Sequence, residues 1–299
     1  MQIAVFGRTV DDSWIEGLSQ VLEYLESRGI ILVWFEPFYR FLKEKKNLPL
    51  HSSATYTLQT GIPKECSLLL NLGGDGVFLA SLILIKERSI PVVGINFGRL
   101  GFLAGVGAES YDQCLNRLIH GDYNIEERTV LEASSPLLPK SFFPYALNEC
   151  ALQRKRPGMM SIAVQMQTGA LPVFWADGLI VATPTGSTAY ALSVGGPIVF
   201  PCADVLVVAP IAPHNLNVRP IVIPDSEVLS ISAQGRAEEV ILTLDNRPVS
   251  IPCGSEVIIR KAPFVLKYIS LHGQHYISAL HEKLLWGFDK RNTKLWHAN

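Results

Sequence analysis

Across the first 125 residues, short apolar runs alternate with amphipathic stretches that stop at glycine. Few arrangements accept that rhythm other than a mostly parallel sheet flanked by helices. Ile3 to Phe6, Ile30 to Phe35, Leu68 to Leu72 and Pro91 to Ile95 predict its strands. Ser13 and Glu16 form a capping-box pattern, after which Ile15, Leu18, Leu22 and Leu25 recur on one helical face until Gly29. An apolar helix is expected from about Val77 to Lys86, and a further one turns Tyr111, Leu115, Leu118 and Ile119 inward before Gly121.

Beyond about Glu126 the texture changes to short alternating and β-branched runs: Tyr145 to Leu152, Ser161 to Gln167, Gly178 to Ala182, Val205 to Ala209, Val228 to Ser232, Val240 to Leu244, Glu256 to Arg260 and Val265 to Ile269. These predict antiparallel strands. Helical character returns from about Ile277 to Lys290. The expected organisation is an α/β N-terminal domain with a mostly parallel sheet over 1–125, a β-rich second domain over 126–276, and a C-terminal helical segment over 277–299 that packs on the first domain.

A chain of 299 residues, 48% apolar and 18% charged, is long enough for two cores and too hydrophobic for disorder. With 26 basic and 27 acidic side chains, it has no bulk field for a nucleic-acid backbone or an anionic membrane, so neither is expected as a partner. Any phosphate must be held by local geometry. Cys66, Cys114, Cys150, Cys202 and Cys253 are odd in number and scattered, which argues against a disulfide framework and for a reducing, cytoplasmic setting. Met1 leads into Ile3 to Phe6 without the basic flank of a signal peptide, so no export is expected. His272, His275 and His281 fit no zinc spacing, and no metal ligand set is expected. The longest uncharged stretch, Gly178 to Ala203, is studded with Thr, Ser, Gly and Pro, and reads as a buried site rather than a membrane span.

The sharpest chemical signal is Gly73-Gly74-Asp75-Gly76, set between the strand Leu68 to Leu72 and an apolar helix. Glycines there let backbone N–H groups approach an anion, and the helix start adds a favourable dipole. A carboxylate in such a turn repels phosphate unless it binds a cation or accepts a proton from a reacting hydroxyl, which singles out Asp75. The alternative is a tight turn with Asp75 as a helix cap. Neither the P-loop pattern nor a G-x-G-x-x-G after the first strand is present.

A second signal runs from Asp177-Gly178 through Thr183-Pro184-Thr185-Gly186-Ser187-Thr188-Ala189-Tyr190-Ala191-Leu192-Ser193. Small hydroxyl residues suit ribose, amides and bases; the plainer alternative is a loop that caps a helix. Asn148-Glu149, inside the apolar run Tyr145 to Leu152, would be costly to bury without partners. The loop Gly98-Arg99-Leu100-Gly101-Phe102-Leu103 follows another strand and should lie on the same sheet edge as the glycine turn. Phe102 faces either a base or the core. Arg154, Lys155 and Arg156 read as a solvated hairpin tip.

In this order and spacing, Gly73-Gly74-Asp75-Gly76, Asn148-Glu149 and the Asp177 to Ser193 block resemble the NAD kinase family. Gly98 to Leu103, Pro213-His214, Arg219 to Pro224 and Lys283-Leu284-Leu285-Trp286-Gly287 extend the resemblance over most of the chain from about Leu69. It implies transfer of the terminal phosphoryl of ATP, with Mg2+ or another divalent cation, to the 2′-hydroxyl of the adenosine ribose of NAD. It also implies Asp75 as proton acceptor in a phosphate turn of Gly73, Gly74, Asp75 and Gly76. Contacts to NAD are implied at Phe102, Asn148, Glu149, Thr188, Ala189, Tyr190, Ala191, Leu192, Ser193 and Ala212, and at Asp177 for the nicotinamide end. Arg247 joins them where Asp245-Asn246-Arg247 replaces the common Asp-Gly-Gln.

The family pattern further implies a homodimer or homotetramer in which a neighbouring subunit completes the site. Val77 stands where many relatives carry Thr, and Trp175 where some carry Arg. Other readings of the same residues are a diacylglycerol-kinase-like lipid or sugar kinase, since Gly-Gly-Asp-Gly is shared with such enzymes, and a non-catalytic dinucleotide sensor.

Overall fold

A computed structural model describes residues 1–51, 54–85, 88–97, 101–107, 111–271 and 276–284. They divide into two compact units, one of Met1–Leu84, Ile90–Glu126 and the described residues from Tyr268, the other of Ile85–Ser89 and Glu127–Lys267. Gly98, Arg99, Leu100, His272, His275 and everything from Leu285 onward lie outside the described residues.

The first unit contains strands β1 (Gln2–Gly7), β2 (Ile31–Phe35), β3 (Thr55–Tyr56), β4 (Cys66–Leu72), β5 (Val92–Asn96), β6 (Val106–Gly107) and β7 (Tyr123–Arg128). Their order is β3-β2-β1-β4-β5, then the late strand Leu266–Leu271, then β7, with β6 beside β5. Strands β1 to β5 run parallel. Central strands β1, β4 and β5 are almost wholly buried because helices must cover both faces of a parallel sheet. From β1 the chain winds to β2 and β3 on one side, then restarts at β4 and winds to β5 on the other. That reversal opens a crevice outside the carboxyl ends of β1 and β4, where such sheets hold ligands. Gly73-Gly74-Asp75-Gly76 leaves β4 at that point.

Helix α1 (Ile15–Ser27) buries Leu18, Val21, Leu22 and Leu25. The capping box expected at Ser13 and Glu16 does not form: a 3-10 turn over Asp12–Trp14 feeds the helix, which has no side-chain cap. Its exit follows expectation, since Gly29, at φ 71°, donates to Glu26 O while Ile30 donates to Leu25 O. Helix α2 (Glu36–Lys45) was not evident from the sequence; ten residues starting at a Pro-bearing first turn leave few periods to count. Instead of one helix from Val77, the structure has α3 (Asp75–Ala80) and α4 (Leu82–Ile85), broken at Ser81. The buried Asn71 of β4 fixes that break by donating to Ser81 Oγ at 3.1 Å. Helix α5 (Tyr111–His120) ends at Gly121 as expected, at φ 72°.

The second unit is antiparallel throughout. It comprises β8 (Leu131–Ser134), β9 (Tyr145–Ala146), β10 (Glu149–Arg154), β11 (Met160–Met166), β12 (Gly169–Ala170), β13 (Phe174–Trp175), β14 (Gly178–Ala182), β15 (Val205–Ile211), β16 (Ile221–Pro224), β17 (Leu229–Gly235), β18 (Glu239–Leu244), β19 (Arg247–Pro252) and β20 (Glu256–Lys261). One sheet has the order β16-β15-β14-β10-β18-β19; the other runs β12-β11-β17-β20-β8-β9, with β13 beside β11. Alternate residues of both sheets, among them Leu152, Val181, Leu206 and Leu242 from the first and Ile162, Ile231 and Ile259 from the second, share one core. The intervening residues of the first sheet, Ala151, Ile180, Ala182, Val207 and Ala209, pack on Ala191 of α6 (Tyr190–Ser193). Both faces of β14 are therefore buried, which explains its lack of charge.

One strand departs from the sequence reading. Leu266–Leu271 joins the parallel sheet, with Tyr268 opposite Val92, rather than the antiparallel set. Its burial pattern identifies a half-buried strand, but periodicity carries no information about which sheet receives it. Helix α7 (Tyr276–Leu284) follows it and belongs to the first unit.

Candidate active site

Strand β4 ends where Gly73 N–H donates to Ile95 O at 2.9 Å, so the turn stays attached to β5. Gly73 adopts φ 146°, and a Cβ there would come within 2.7 Å of Val77 Cγ2. Val77 thus packs against the glycine of its own turn. Gly74 caps α3, and its carbonyl accepts from Val77 and Phe78. Among the described residues, no acceptor takes the N–H groups of Gly74, Asp75 and Gly76, and the space around Gly76 is open. Three adjacent donors in a turn form an anion cradle.

Asp75 is fixed by backbone. Its Oδ2 accepts from Phe102 N–H at 2.7 Å; its Oδ1 accepts from Leu103 and Ala104 N–H at 3.0 and 2.9 Å. Two glycines permit this clamp. A Cβ on Gly94 would meet Ala104 Cα at 2.9 Å, and one on Gly101 would overlap Asp75 itself. A carboxylate offers about four lone-pair sites, so three are occupied and one on Oδ2 remains. Phe102 is half-buried, and the Lys283 ammonium of α7 sits 4.3 Å from its ring centroid. Burial pushes Lys283 down to about 8, opposed by the charges of Asp75 and Glu282.

In the second unit, Asn148 and Glu149 lie at the start of β10, held by a residue far away in sequence. Asp245, 5% exposed, accepts N–H bonds from Leu147 (3.1 Å), Asn148 (2.8 Å) and Glu149 (3.3 Å), and returns its own N–H to Glu149 O at 2.9 Å. It occupies the left-handed region at φ 48°, which Asp tolerates better than most residues. Burial pushes the Glu149 carboxyl up to about 7, the nearby Asp245 charge adds to this, and the Tyr190 N–H opposes it. Glu149 Oε2 is buried with no partner. Burial likewise raises Asp245, against the three N–H groups and Arg247.

The hydroxyl-rich block closes on this pair. Thr183 Oγ1 donates to Leu147 O at 2.5 Å and accepts from Gly186 N–H at 3.1 Å. A side chain at Gly186 would overlap the Asn148 backbone, so glycine allows the loop to lie directly on it. Ser187 Oγ is spent on both backbone groups of Val199. Thr188 Oγ1 donates to Thr185 O at 3.3 Å. Ala189 precedes α6; Tyr190 OH accepts from Gln153 at 2.8 Å; the Ala191 methyl is core; Leu192 is half-buried and Ser193 exposed. Thr185 Oγ1 is a second buried polar atom without a partner. Each of these two buried oxygens is a polar atom that an added hydrogen-bond partner would satisfy.

Asp177 is elsewhere. It stands at the opposite end of β14 from Thr183, roughly 20 Å away at about 3.3 Å per residue. There it pairs with Arg154 at 2.7 Å, with His214 Nε2 at 3.9 Å, and donates its N–H to Ile211 O. Ala212, exposed at φ 45°, is next in chain to Ile211. Asp177 and Ala212 are therefore neighbours of each other and distant from Glu149. Arg247 donates to Tyr145 O, covers the Phe143 ring at 5.2 Å and lies 3.8 Å from Asp245.

Sequence reasoning missed the anchoring by Asp245, the orphan hydroxyl of Thr185 and the seat of Lys283. Asp245 is 96 residues from Glu149, a separation over which no local pattern reports contact.

A doubly wound sheet with a glycine turn at its reversal point defines a nucleotide-binding class of fold. The family models for the ATP-NAD kinase N-terminal and C-terminal domains match residues 3–123 and 147–271. An NAD kinase of Christiangramia forsetii is 38% identical, covering 98% of this chain and 100% of the relative. One of Flavobacterium psychrophilum is also 38% identical with the same coverage. The crystal structure of an Archaeoglobus fulgidus NAD kinase in complex with ATP superposes with a TM-score of 0.74 at 25% identity, over 95% of this chain and 99% of that one. Yeast NADH kinase complexed with NADH gives 0.83 at 24% identity, over 98% and 90%. The chain belongs to the NAD kinase family.

Proposed function

We propose that this protein transfers the terminal phosphoryl of ATP to the 2′-hydroxyl of the adenosine ribose of NAD, giving NADP and ADP. The observation that carries this is the clamped Asp75, whose one remaining lone pair on Oδ2 leaves a directed acceptor for a hydroxyl proton beside a cradle of unpaired N–H groups. The ribose oxygen attacks the terminal phosphorus while its proton passes to Asp75 Oδ2. The bond to the bridging oxygen breaks, and its electron pair leaves with ADP. Phosphoryl transfer of this kind depends chiefly on positioning and on absorbing charge at the phosphate oxygens. The N–H groups of Gly74, Asp75 and Gly76 are placed for the second task.

Asn148, Glu149, Thr185 and the Thr188 to Ser193 segment are assigned to the dinucleotide. Glu149 Oε2 and Thr185 Oγ1 supply the unsatisfied polar atoms that sugar hydroxyls and base amines would engage. Because Asp177 and Ala212 sit a strand length away, we assign them to a dinucleotide held by a neighbouring copy in a homodimer or homotetramer. Magnesium is proposed to arrive with the triphosphate. Among the described residues no three His, Cys, Asp or Glu side chains converge to hold an ion, and Mg2+ is commonly bound by phosphate oxygens with one or two carboxylates. When bound, it would neutralise charge on those oxygens. The likeness to NAD kinases, one of them solved in complex with ATP, supports this reading, and a cytoplasmic location accords with it.

Incubating the protein with NAD, ATP and magnesium, followed by separation of the products, tests the assignment. NADP and ADP in equal amounts are expected. ATP consumption with a lipid or sugar acceptor but not with NAD would overturn it, as would NAD binding without product.

A further inference from the structure

Lys283 is the one member of the first unit's chemical cluster that the mechanism above leaves without a task. Its ammonium is half-buried, seated 4.3 Å from the Phe102 ring centroid and close enough to Asp75 for that charge to act on it. Among the described residues it has no carboxylate within ion-pair distance and no hydrogen-bond acceptor; the aromatic face is its only contact of a polar kind. A cation withdrawn from water in this way is costly unless an anion completes its surroundings. A ring face satisfies one side of an ammonium and leaves its other N–H donors directed elsewhere.

Position sharpens the point. Phe102, which carries the ammonium, is the residue whose N–H donates to Asp75 Oδ2, the oxygen with the spare lone pair. A substrate hydroxyl held at that oxygen must meet the phosphoryl of the donor there, and carboxylate and phosphoryl repel each other as they close. One cation beside both offsets that repulsion.

We propose that Lys283 is a phosphate-binding residue of the transfer site: its ammonium, seated on Phe102 beside Asp75, donates hydrogen bonds to the terminal phosphate of the triphosphate donor. This rests on the kinase reading for the identity of the donor. No bond to Lys283 forms or breaks; it stays protonated and follows the phosphoryl oxygens through transfer. The groups that set its charge are Asp75 on α3, Glu282 on its own helix and the Phe102 ring. Burial outweighs the two carboxylates in the free protein, so the ammonium is progressively lost above about pH 8.

The test is calorimetric titration of the intact protein with magnesium–ATP, and separately with NAD, for wild type, Lys283→Met and Lys283→Arg at pH 7 and pH 9. Lys283→Met should weaken ATP binding at least tenfold at pH 7, with NAD affinity within twofold of wild type, and lower kcat on the order of a hundredfold. Lys283→Arg should retain most of the ATP affinity, because a guanidinium keeps its charge. Wild-type affinity for ATP should fall between pH 7 and pH 9 more than that of Lys283→Arg. ATP binding by Lys283→Met equal to wild type overturns the proposal, as does parallel loss of ATP and NAD affinity in both variants, or a wild type that binds no ATP. A selective ATP defect in Lys283→Met, in a protein that forms no NADP, supports the phosphate role while overturning the choice of acceptor.

Discussion

Gly101 lies so close against Asp75 that any side chain at position 101 would occupy the space of Asp75 Oδ1. The same segment presents the N–H groups of Phe102, Leu103 and Ala104 to that carboxylate. Position 101 thereby sets both the reach and the direction of the proposed proton acceptor.

Gly101→Ala must displace either the clamp or Asp75. A shift of about 1 Å in a reacting group costs on the order of a hundredfold in rate. Turnover measured as NADP formation should fall by about that factor, while KM for NAD changes much less, because most of the proposed dinucleotide contacts lie in the other unit.

Asp75→Asn tests the acceptor directly. An amide retains an oxygen for Leu103 and Ala104 but turns an NH2 toward Phe102 N–H, which now sits 2.7 Å from Oδ2. Loss of the proton acceptor should lower kcat about a thousandfold. The opposed donors should cost about 1–3 kcal/mol in urea unfolding. Wild-type turnover in this variant would remove Asp75 from the mechanism.

Glu149 should make stability pH-dependent. Its folded value of about 7 lies above its ordinary 4.5, so the native state binds the proton more tightly than the unfolded chain. Stability is therefore greatest below about pH 4.5 with respect to this group and is lost as pH rises through about 7. The total is about 3 kcal/mol. Urea midpoints of wild type should fall between pH 5 and pH 8 relative to those of Glu149→Gln, in which this contribution is absent.

Asp245→Asn keeps a residue that accepts the left-handed backbone at φ 48° but weakens the anchoring of three N–H groups. Unfolding free energy should drop by about 1–3 kcal/mol. Loosening of the Asn148-Glu149 peptide should raise KM for NAD about tenfold, equivalent to about 1.4 kcal/mol. Removing the Asp245 charge should also bring Glu149 back toward the ordinary carboxylate range, read from the pH dependence of NAD binding.

Parts of the site were legible because their signals are local. Gly73 to Gly76 are consecutive, and a strand running into glycines and then a helix can hardly do other than turn at a sheet edge. The run Asp177 to Ser193 announced a buried strand followed by a hydroxyl-rich loop. It did not announce that Thr183 and Ser187 spend their hydroxyls on the fold, or that Thr185 does not. The capping box at Ser13 and Glu16 was a correct spelling in the wrong backbone, since the 3-10 turn at Asp12–Trp14 preempted it.

By itself the sequence determined the alternation of strands and helices, the change to antiparallel pairing after about residue 126, and the glycines at which the backbone must turn or be approached. These follow from periodicities of 2.0 and 3.6 residues and from missing Cβ atoms, which are properties of neighbours along the chain. Only the tertiary structure decided that Leu266–Leu271 crosses to the parallel sheet, that Asp245 holds Asn148 and Glu149, and that Lys283 settles on Phe102 beside Asp75. Such pairings join residues tens to hundreds of positions apart. They are fixed by burial and charge in the assembled protein, where the cost of an unmatched polar group or a misplaced strand is first felt.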